Sequence, residues 1–214
     1  NLWDDGSGYN YQDLDGRTAL TSVAAGLGVE RGLIIVVAAG NEALSSWHYI
    51  TAPADADGVT SVGSVALTAG FERQFNISAT SSRGPTADGR IKPDLVAPGV
   101  MICSARAQEA QFTEGESCSD GVHSDGETPL YMTLNGSSMA TPVAAGAAAM
   151  ARQFLREEMN ISEPRSDLIK AILINGATDL GESDIPNPSE GWGQINISQS
   201  LFPQYGGQDS NLHF

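Results

Sequence analysis

An α/β fold built on a parallel sheet is what this sequence predicts, and three features of its pattern predict it. Residues 33–40, LIIVVAAG, form a continuous β-branched run of strand length, the pattern of a parallel strand covered on both faces. Before it, residues 18–31, TALTSVAAGLGVER, space their apolar side chains as a helix does until Gly32 stops them, which predicts a buried helix. Further apolar runs at 59–67 (VTSVGSVAL) and 94–105 (DLVAPGVMICSA) read as strands interrupted by Gly and Pro, and they alternate with helical segments. With 214 residues, 41% of them hydrophobic, the chain can bury the core of one domain; no repeat or low-complexity linker marks a second.

The remaining elements follow in order. A polar turn begins at Asn41, and residues 81–93, SSRGPTADGRIKP, form a turn-rich loop. Residues 106–129 are polar, acidic and nearly free of large apolar side chains, so they belong to a surface excursion. Residues 137–159 read as one long, central helix whose first half is made of small residues. In residues 162–176, SEPRSDLIKAILING, Ser162 suits the N-cap of another helix and Pro164 its first turn.

Charge narrows the function classes. Eleven Lys and Arg stand against 26 Asp and Glu, a formal charge of -15 that repels phosphate backbones and anionic membranes. A nucleic-acid partner is therefore excluded, and no stretch reaches the roughly 18 apolar residues of a membrane span. The opening residues NLWDDGSGYN lack the basic and apolar parts of a signal peptide. An acidic chain whose only lysines are Lys92 and Lys170 fits an extracellular or salt-adapted protein, and equally an ordinary solvated surface. Cys103 and Cys118 flank a polar segment, as a disulfide in an oxidising compartment or as two free thiols.

Two stretches carry chemistry. In residues 134–150, LNGSSMATPVAAGAAAM, a helix beginning at about Ser138 puts Pro142 in or near its first turn and Ser138 at its positive end. Gly136 beside it lets a substrate backbone come close. A capped helix of small residues would show the same pattern. In VVAAGNE, Asn41 follows the carboxyl end of a buried strand, where open parallel sheets bind ligands, and its amide can donate to an oxyanion. A turn asparagine is the plainer reading.

Together these segments resemble the subtilisin-like serine proteases. GSSMATPVAAG is similar to that family's nucleophile motif, with Ser137 in place of the common threonine, and VVAAGNE to its oxyanion-hole motif. SSRGPTADGRIKPDLVAPG and GWGQINISQSL resemble its connecting segment and the close of its catalytic domain, in the family's order over residues 18–201. The pattern is particularly similar to the oxidatively stable, high-molecular-weight alkaline proteases of bacilli. The resemblance implies a subtilisin-like fold, a polypeptide substrate, secretion, and chemistry without a cofactor. It makes Ser138 the nucleophile and one oxyanion donor through its own N–H, with Asn41 as the side-chain donor. Ala38, Ala39 and Gly40 become one wall of a small apolar pocket for the residue before the scissile bond, with Gly136 also contacting substrate. Structural calcium is common in the family, and SDGVHSDGE offers Asp120, Asp125 and Glu127, although a solvated acidic loop accounts for them as well.

The family's base and acid precede its serine, in His-Gly-Thr/Ser and Asp-Ser/Thr-Gly motifs, and neither motif occurs here. His48, His123 and His213 all follow Asn41, while Asp4 and Asp5 have too few residues before them for the strand that presents the acid. The expectation is a C-terminal part of a catalytic domain, inactive alone. Half of a covered sheet leaves an unpaired edge, so pairing with the missing N-terminal half or self-association is also expected. The competing readings are a non-catalytic relative used for binding and an unrelated hydrolase with His123 or His48 as base. Asn76, Asn135, Asn160 and Asn196 each open an Asn-x-Ser sequon, read as chance.

Overall fold

The computed structural model describes residues 8–68, 74–106, 117–118, 121–122, 126–181, 184–205 and 208–209. After a 3-10 turn at Tyr11–Asp13 come helix α1 (Leu20–Glu30) and strands β1 (Val36–Ala38), β2 (Thr60–Thr68), β3 (Gln74–Ile77) and β4 (Leu95–Pro98). Strands β5 (Ile102–Ala105) and β6 (Tyr131–Leu134) precede helices α2 (Ser137–Glu157), α3 (Ser166–Asn175) and α4 (Ile197–Leu201). β2 is the central strand. Val62 pairs in parallel with Ala38 of β1 and with Leu95 of β4, so these two lie on opposite edges of β2. β3 runs antiparallel to the far end of β2, Val65 opposite Ile77, which makes the sheet mixed where a parallel one was expected.

α2 lies on this sheet because its inward stripe is almost all alanine. Ala140 and Ala144 pack with Val62 and Ala97, and Ala147, Ala148, Ala151 and Leu155 pack with Leu95 and with Ile169, Ile172 and Leu173 of α3. Small side chains let the helix axis approach the strands closely, and this sets the height of its first residue above the sheet. Behind β1 a second cluster joins Leu14, Ala39, Ile50 and Ala54.

Several expectations are corrected here. The run 33–40 yields a strand of three residues, and all of them are half-buried instead of covered on both faces. α1 is where the periodicity put it, yet Ser22 is its only buried residue, while Leu20, Val23 and Leu27 stand exposed. α2 is likewise one-sided, with Val143 and Met150 in solvent. The run 94–105 divides at Gly99 into β4 of the main sheet and β5, which pairs with β6 in a separate ribbon. α3 starts at Ser166 behind Arg165, so neither Ser162 nor Pro164 forms its cap or first turn. Pro142 is an interior residue of α2, and its missing N–H leaves the Ser138 carbonyl without the helical partner it would otherwise have.

Cys103 and Cys118 form a disulfide across 15 positions, resolving the choice between bridge and free thiols. Among the described residues no helix is long and apolar enough to cross a membrane.

Candidate active site

β1 and β6 deliver the two chemical segments to one place. β1 leads into Ala39, Gly40 and Asn41, and β6 leads into Asn135, Gly136 and the start of α2. The Gly136 N–H donates to Gly99 O at the end of β4 (2.7 Å), which anchors the helix entrance to the sheet. Both entrances need glycine. Gly136 has φ +134°, and a Cβ there would stand 3.1 Å from the Asn41 amide; Gly40 has φ +115°, and a Cβ would stand 2.7 Å from Ser82 Oγ.

The Asn41 side chain points at the helix entrance. Its Oδ1 accepts from the Ser137 N–H (2.9 Å) and lies 3.1 Å from Ser137 Oγ. Because a backbone N–H can only donate, the atom facing it is the amide oxygen, and Nδ2 carries its two hydrogens away from that contact. Nδ2 meets no protein acceptor among the described residues. The Ser138 N–H meets none either, as befits one of the first N–H groups of a helix. Both donors stand at the positive end of a 21-residue helix, an arrangement that can stabilise developing negative charge.

The neighbouring serines differ in availability. Ser137 is fully buried, and its Oγ accepts from the Gly40 N–H (3.1 Å) while donating toward Gly40 O (3.0 Å) or Asn41 Oδ1. Ser138 is exposed, and its hydroxyl has no protein partner among the described residues. Only Ser138 is free to react. Gly40 is also held from the far side, where Ser82 N–H donates to Gly40 O (3.0 Å) and Ser82 Oγ accepts from Glu42 N–H (2.9 Å). The loop 81–93 thus braces the Gly40 turn, a role its turn-rich composition did not disclose.

The pocket-wall residues are near the site but unequal. Ala38 and Gly40 are half-buried, whereas Ala39 is fully buried in the cluster with Leu14 and Ile50. His48 belongs to the turn after Asn41, with Nδ1 3.0 Å from Ala43 O, and it makes no hydrogen bond to Ser138. His123 and His213, with Asp4, Asp5, Asp120 and Asp125, lie outside the described residues. Glu127 is exposed, and among the described residues no three His, Cys, Asp or Glu side chains gather as a metal site. A groove of about 1020 Å³ lies elsewhere, between α1, Asp57–Gly58 and the start of α3, under the uncovered side of α1.

The chain is 37% identical over 159 residues to the serine protease/ABC transporter B family protein tagD of Dictyostelium discoideum, covering 62% of this chain and 8% of that protein. It is 35% identical over 172 residues to serine protease AprX of Bacillus subtilis, covering 79% of this chain and 35% of that protein. The chain therefore spans well under half the length of these relatives. Among solved structures, fervidolysin from Fervidobacterium pennivorans, a keratinolytic enzyme related to subtilisin, superposes with a TM-score of 0.61 at 25% identity, over 83% of this chain and 24% of that one. The Peptidase_S8 subtilase model matches residues 6–193, and the chain belongs to the subtilase family.

Proposed function

We propose that this chain carries the nucleophile and oxyanion site of a subtilisin-type serine endopeptidase acting on polypeptides. Ser138 Oγ attacks the scissile carbonyl carbon as its proton passes to a base, and the carbonyl oxygen takes the electron pair. That oxyanion is held by the Ser138 N–H and Asn41 Nδ2. Collapse expels the amine, which takes the proton from the base, and water then hydrolyses the acyl-serine by the same steps in reverse. The observation that carries the reading is the pair of unoccupied donors beside the one uncommitted hydroxyl. All the groups this chain contributes are its own side-chain and backbone atoms, and it needs no cofactor for them. Ala38 and Gly40, with Ala39 behind them, form the wall of the specificity pocket, and Gly136 is the point of closest substrate approach.

The base and its orienting carboxylate come from a polypeptide that packs on exposed apolar side chains of the molecule. Support lies in the exposed apolar side chains of Leu20, Leu27, Val143 and Met150 and in the half-buried β1. The N-terminal half of a catalytic domain is the partner this reading favours over self-association. Secretion is supported by the Cys103–Cys118 disulfide, which persists in oxidising compartments.

Turnover of a chromogenic peptide tests the reading. The chain alone is expected to be inactive, and the chain combined with its upstream polypeptide active, with Ser138→Ala losing at least about 10³-fold. Full activity in the Ser138→Ala variant would contradict it, and no activity in the combined protein would favour a binding role.

A further inference from the structure

We infer that Asn160 is a glycan attachment site, whose side-chain amide takes an oligosaccharide from a lipid-diphosphate donor. This rests on the proposed secretion, because the acceptor sequence Asn-x-Ser is modified on chains that enter a secretory compartment. The bond from Asn160 Nδ2 to the sugar C1 forms as the bond from C1 to the diphosphate oxygen breaks. The lipid diphosphate leaves with the bonding electrons, and Nδ2 releases one of its two protons to water.

The four Asn-x-Ser sequons stand in unequal surroundings. Asn135 Oδ1 accepts from the Met101 N–H (2.6 Å) three residues before Ser138, so a glycan there would cover the exposed hydroxyl. Asn196 caps α4, its Oδ1 accepting from Gln199 N–H (3.1 Å) while Nδ2 donates to Thr178 Oγ1 (3.1 Å), so a sugar on Nδ2 would crowd Thr178. Asn76 sits in β3 opposite Ala66 and lines, with Thr178 and Asn196, the hollow between β3 and the start of α4. Its sequon hydroxyl, Ser78 Oγ, is buried 3.2 Å from Thr80 Oγ1. The fold gives these three asparagines other surroundings to satisfy.

The sequence Asn160-Ile161-Ser162 differs at each point. It joins α2 to α3, and its middle residue anchors it: Ile161 and the preceding Met159 pack against the core shared by the two helices, and the Ile161 N–H donates to Leu155 O (2.9 Å). Asn160 and Ser162 are turned outward. Both are exposed, and neither side chain makes a hydrogen bond among the described residues. The φ of +56° at Asn160 is left-handed, a conformation that asparagine tolerates better than most residues, so the backbone alone accounts for the Asn. It does not account for Ser162, which caps nothing, since α3 begins at Ser166 behind Arg165. A bulky, hydrated chain on Asn160 thus displaces no contact of the fold. At about 1.5 Å per residue along α2, it would stand about 30 Å from Ser138, at the opposite pole from the nucleophile.

The experiment expresses the chain together with its upstream polypeptide in a eukaryotic host that glycosylates secreted proteins, once from the natural gene and once behind an added signal peptide. The purified protein is treated with peptide N-glycosidase, and mass spectrometry locates each asparagine that the treatment converts to aspartate. Conversion is expected at Asn160 and not at Asn76, Asn135 or Asn196. Asn160→Gln and Ser162→Ala are each expected to abolish the glycan and raise electrophoretic mobility, and Ser162→Thr to keep it, all with kcat/KM unchanged. Ser162→Ala retains Asn160 and its left-handed turn, so loss of the sugar in that variant reports the acceptor sequence and not a folding defect. An unmodified Asn160 in the form carrying the signal peptide, a glycan that survives Ser162→Ala, or modification at Asn76, Asn135 or Asn196 in place of Asn160 overturns the inference. If the natural gene yields an unmodified protein inside the cell while the form with the signal peptide is modified at Asn160, the site stands and the secretion reading fails.

Discussion

Ser137 and Ser138 have the same side chain on adjacent residues, and their surroundings give them opposite uses. One is sealed and fully hydrogen-bonded, the other open and unpartnered. Ser138, Asn41 and Gly136 were singled out because they belong to compact motifs, and the structure brings Asn41 to the helix entrance at Gly136 and Ser137. The hydrogen bonds of Ser137 to Gly40 and Asn41 left no trace in the sequence, since these residues are joined only when β1 and β6 end side by side, and Ser137 registered merely as a replacement for threonine. Ser82 escaped notice for the same reason. Another buried serine illustrates cost without compensation: Ser64 is fully buried in β2, and its Oγ has no hydrogen-bond partner among the described residues. Its N–H is satisfied by Ser81 Oγ (2.9 Å), so the hydroxyl alone is orphaned. Ser64→Ala is therefore expected to stabilise the chain by about 1 kcal/mol, read as a higher urea midpoint at unchanged m. A loss of stability would mean that the hydroxyl has a partner in solution.

At the scale of elements, α2 is specified by what its inner stripe lacks. Ala140, Ala144, Ala148 and Ala151 are almost wholly buried against the strands, and no larger side chain fits without lifting the helix and the nucleophile with it. Ala144→Leu is expected to cost about 1–3 kcal/mol in chemical denaturation. A neutral Ala144→Leu would show that the contact is looser than described. Helical periodicity located α1, α2 and α3 well, because the 3.6-residue repeat survives even where burial is one-sided. The start of α3 was missed, since a Ser-x-Pro sequence satisfies the rules for a cap without the chain using it there. β3 and β6 went unseen as well: four-residue strands in polar surroundings carry no periodic signal, and their pairing partners are remote in sequence. β1 was overextended because a continuous apolar run reports hydrophobicity without saying how many of its residues find a neighbouring strand. On α1, Leu20→Glu is expected to change folding stability by no more than about 0.5 kcal/mol, as for an exposed site, yet to weaken association with the upstream polypeptide in sedimentation or light scattering. Undiminished association would remove α1 from the proposed interface.

Across the whole molecule, the chain's only two lysines are spent on one buried carboxylate. Lys92 Nζ lies 2.7 Å from Asp94 Oδ2 and Lys170 Nζ 2.8 Å from Asp94 Oδ1; both also donate to Val59 O, at 3.2 and 2.8 Å. Asp94 further accepts from the Ser61 N–H (2.7 Å), so β2, β4 and α3 are tied together beneath the sheet, at the ends of the strands away from the site. Burial opposes the charge of Asp94, but Lys92 and Lys170 together outweigh it and hold its pKa below the ordinary carboxylate value. For Lys92, burial dominates; Asp94 offsets it only in part, Lys170 and Arg90 add repulsion, and the pKa falls from 10.5 to about 8. Both pKa values fall: two cations favour the ionised form of Asp94, while one shared anion does not offset the burial of Lys92. Since the folded pKa of Lys92 lies below its unfolded value, the unfolded chain binds more protons between pH 8 and 10.5, and this group's contribution to stability rises with pH across that window. Lys92→Met removes that gain. Its stability relative to the unsubstituted chain should fall, by roughly 3 kcal/mol at most, as pH is raised from 8 to 10.5 in urea titrations. A difference independent of pH would show that the Lys92 ammonium is not destabilised by burial.

The proposed nucleophile and oxyanion site is held by contacts internal to this chain. The Gly40–Asn41 turn, the helix entrance and the sheet register depend on contacts between β1, β2, β4 and α2, all within this chain. Among the described residues no histidine hydrogen-bonds Ser138, and the proposed docking of a polypeptide that supplies a base draws on the apolar side chains left in solvent. Burying a Leu or Met fully contributes about 1.5–3 kcal/mol, so a handful of them supplies the driving force for such a complex. The most direct measurement is covalent labelling by a fluorophosphonate, with the modified residue located by mass spectrometry. The account predicts no labelling of the chain alone, stoichiometric modification of Ser138 once the upstream polypeptide is added, and none in Ser138→Ala. Labelling at another serine, or of Ser138 in the chain alone, would contradict it.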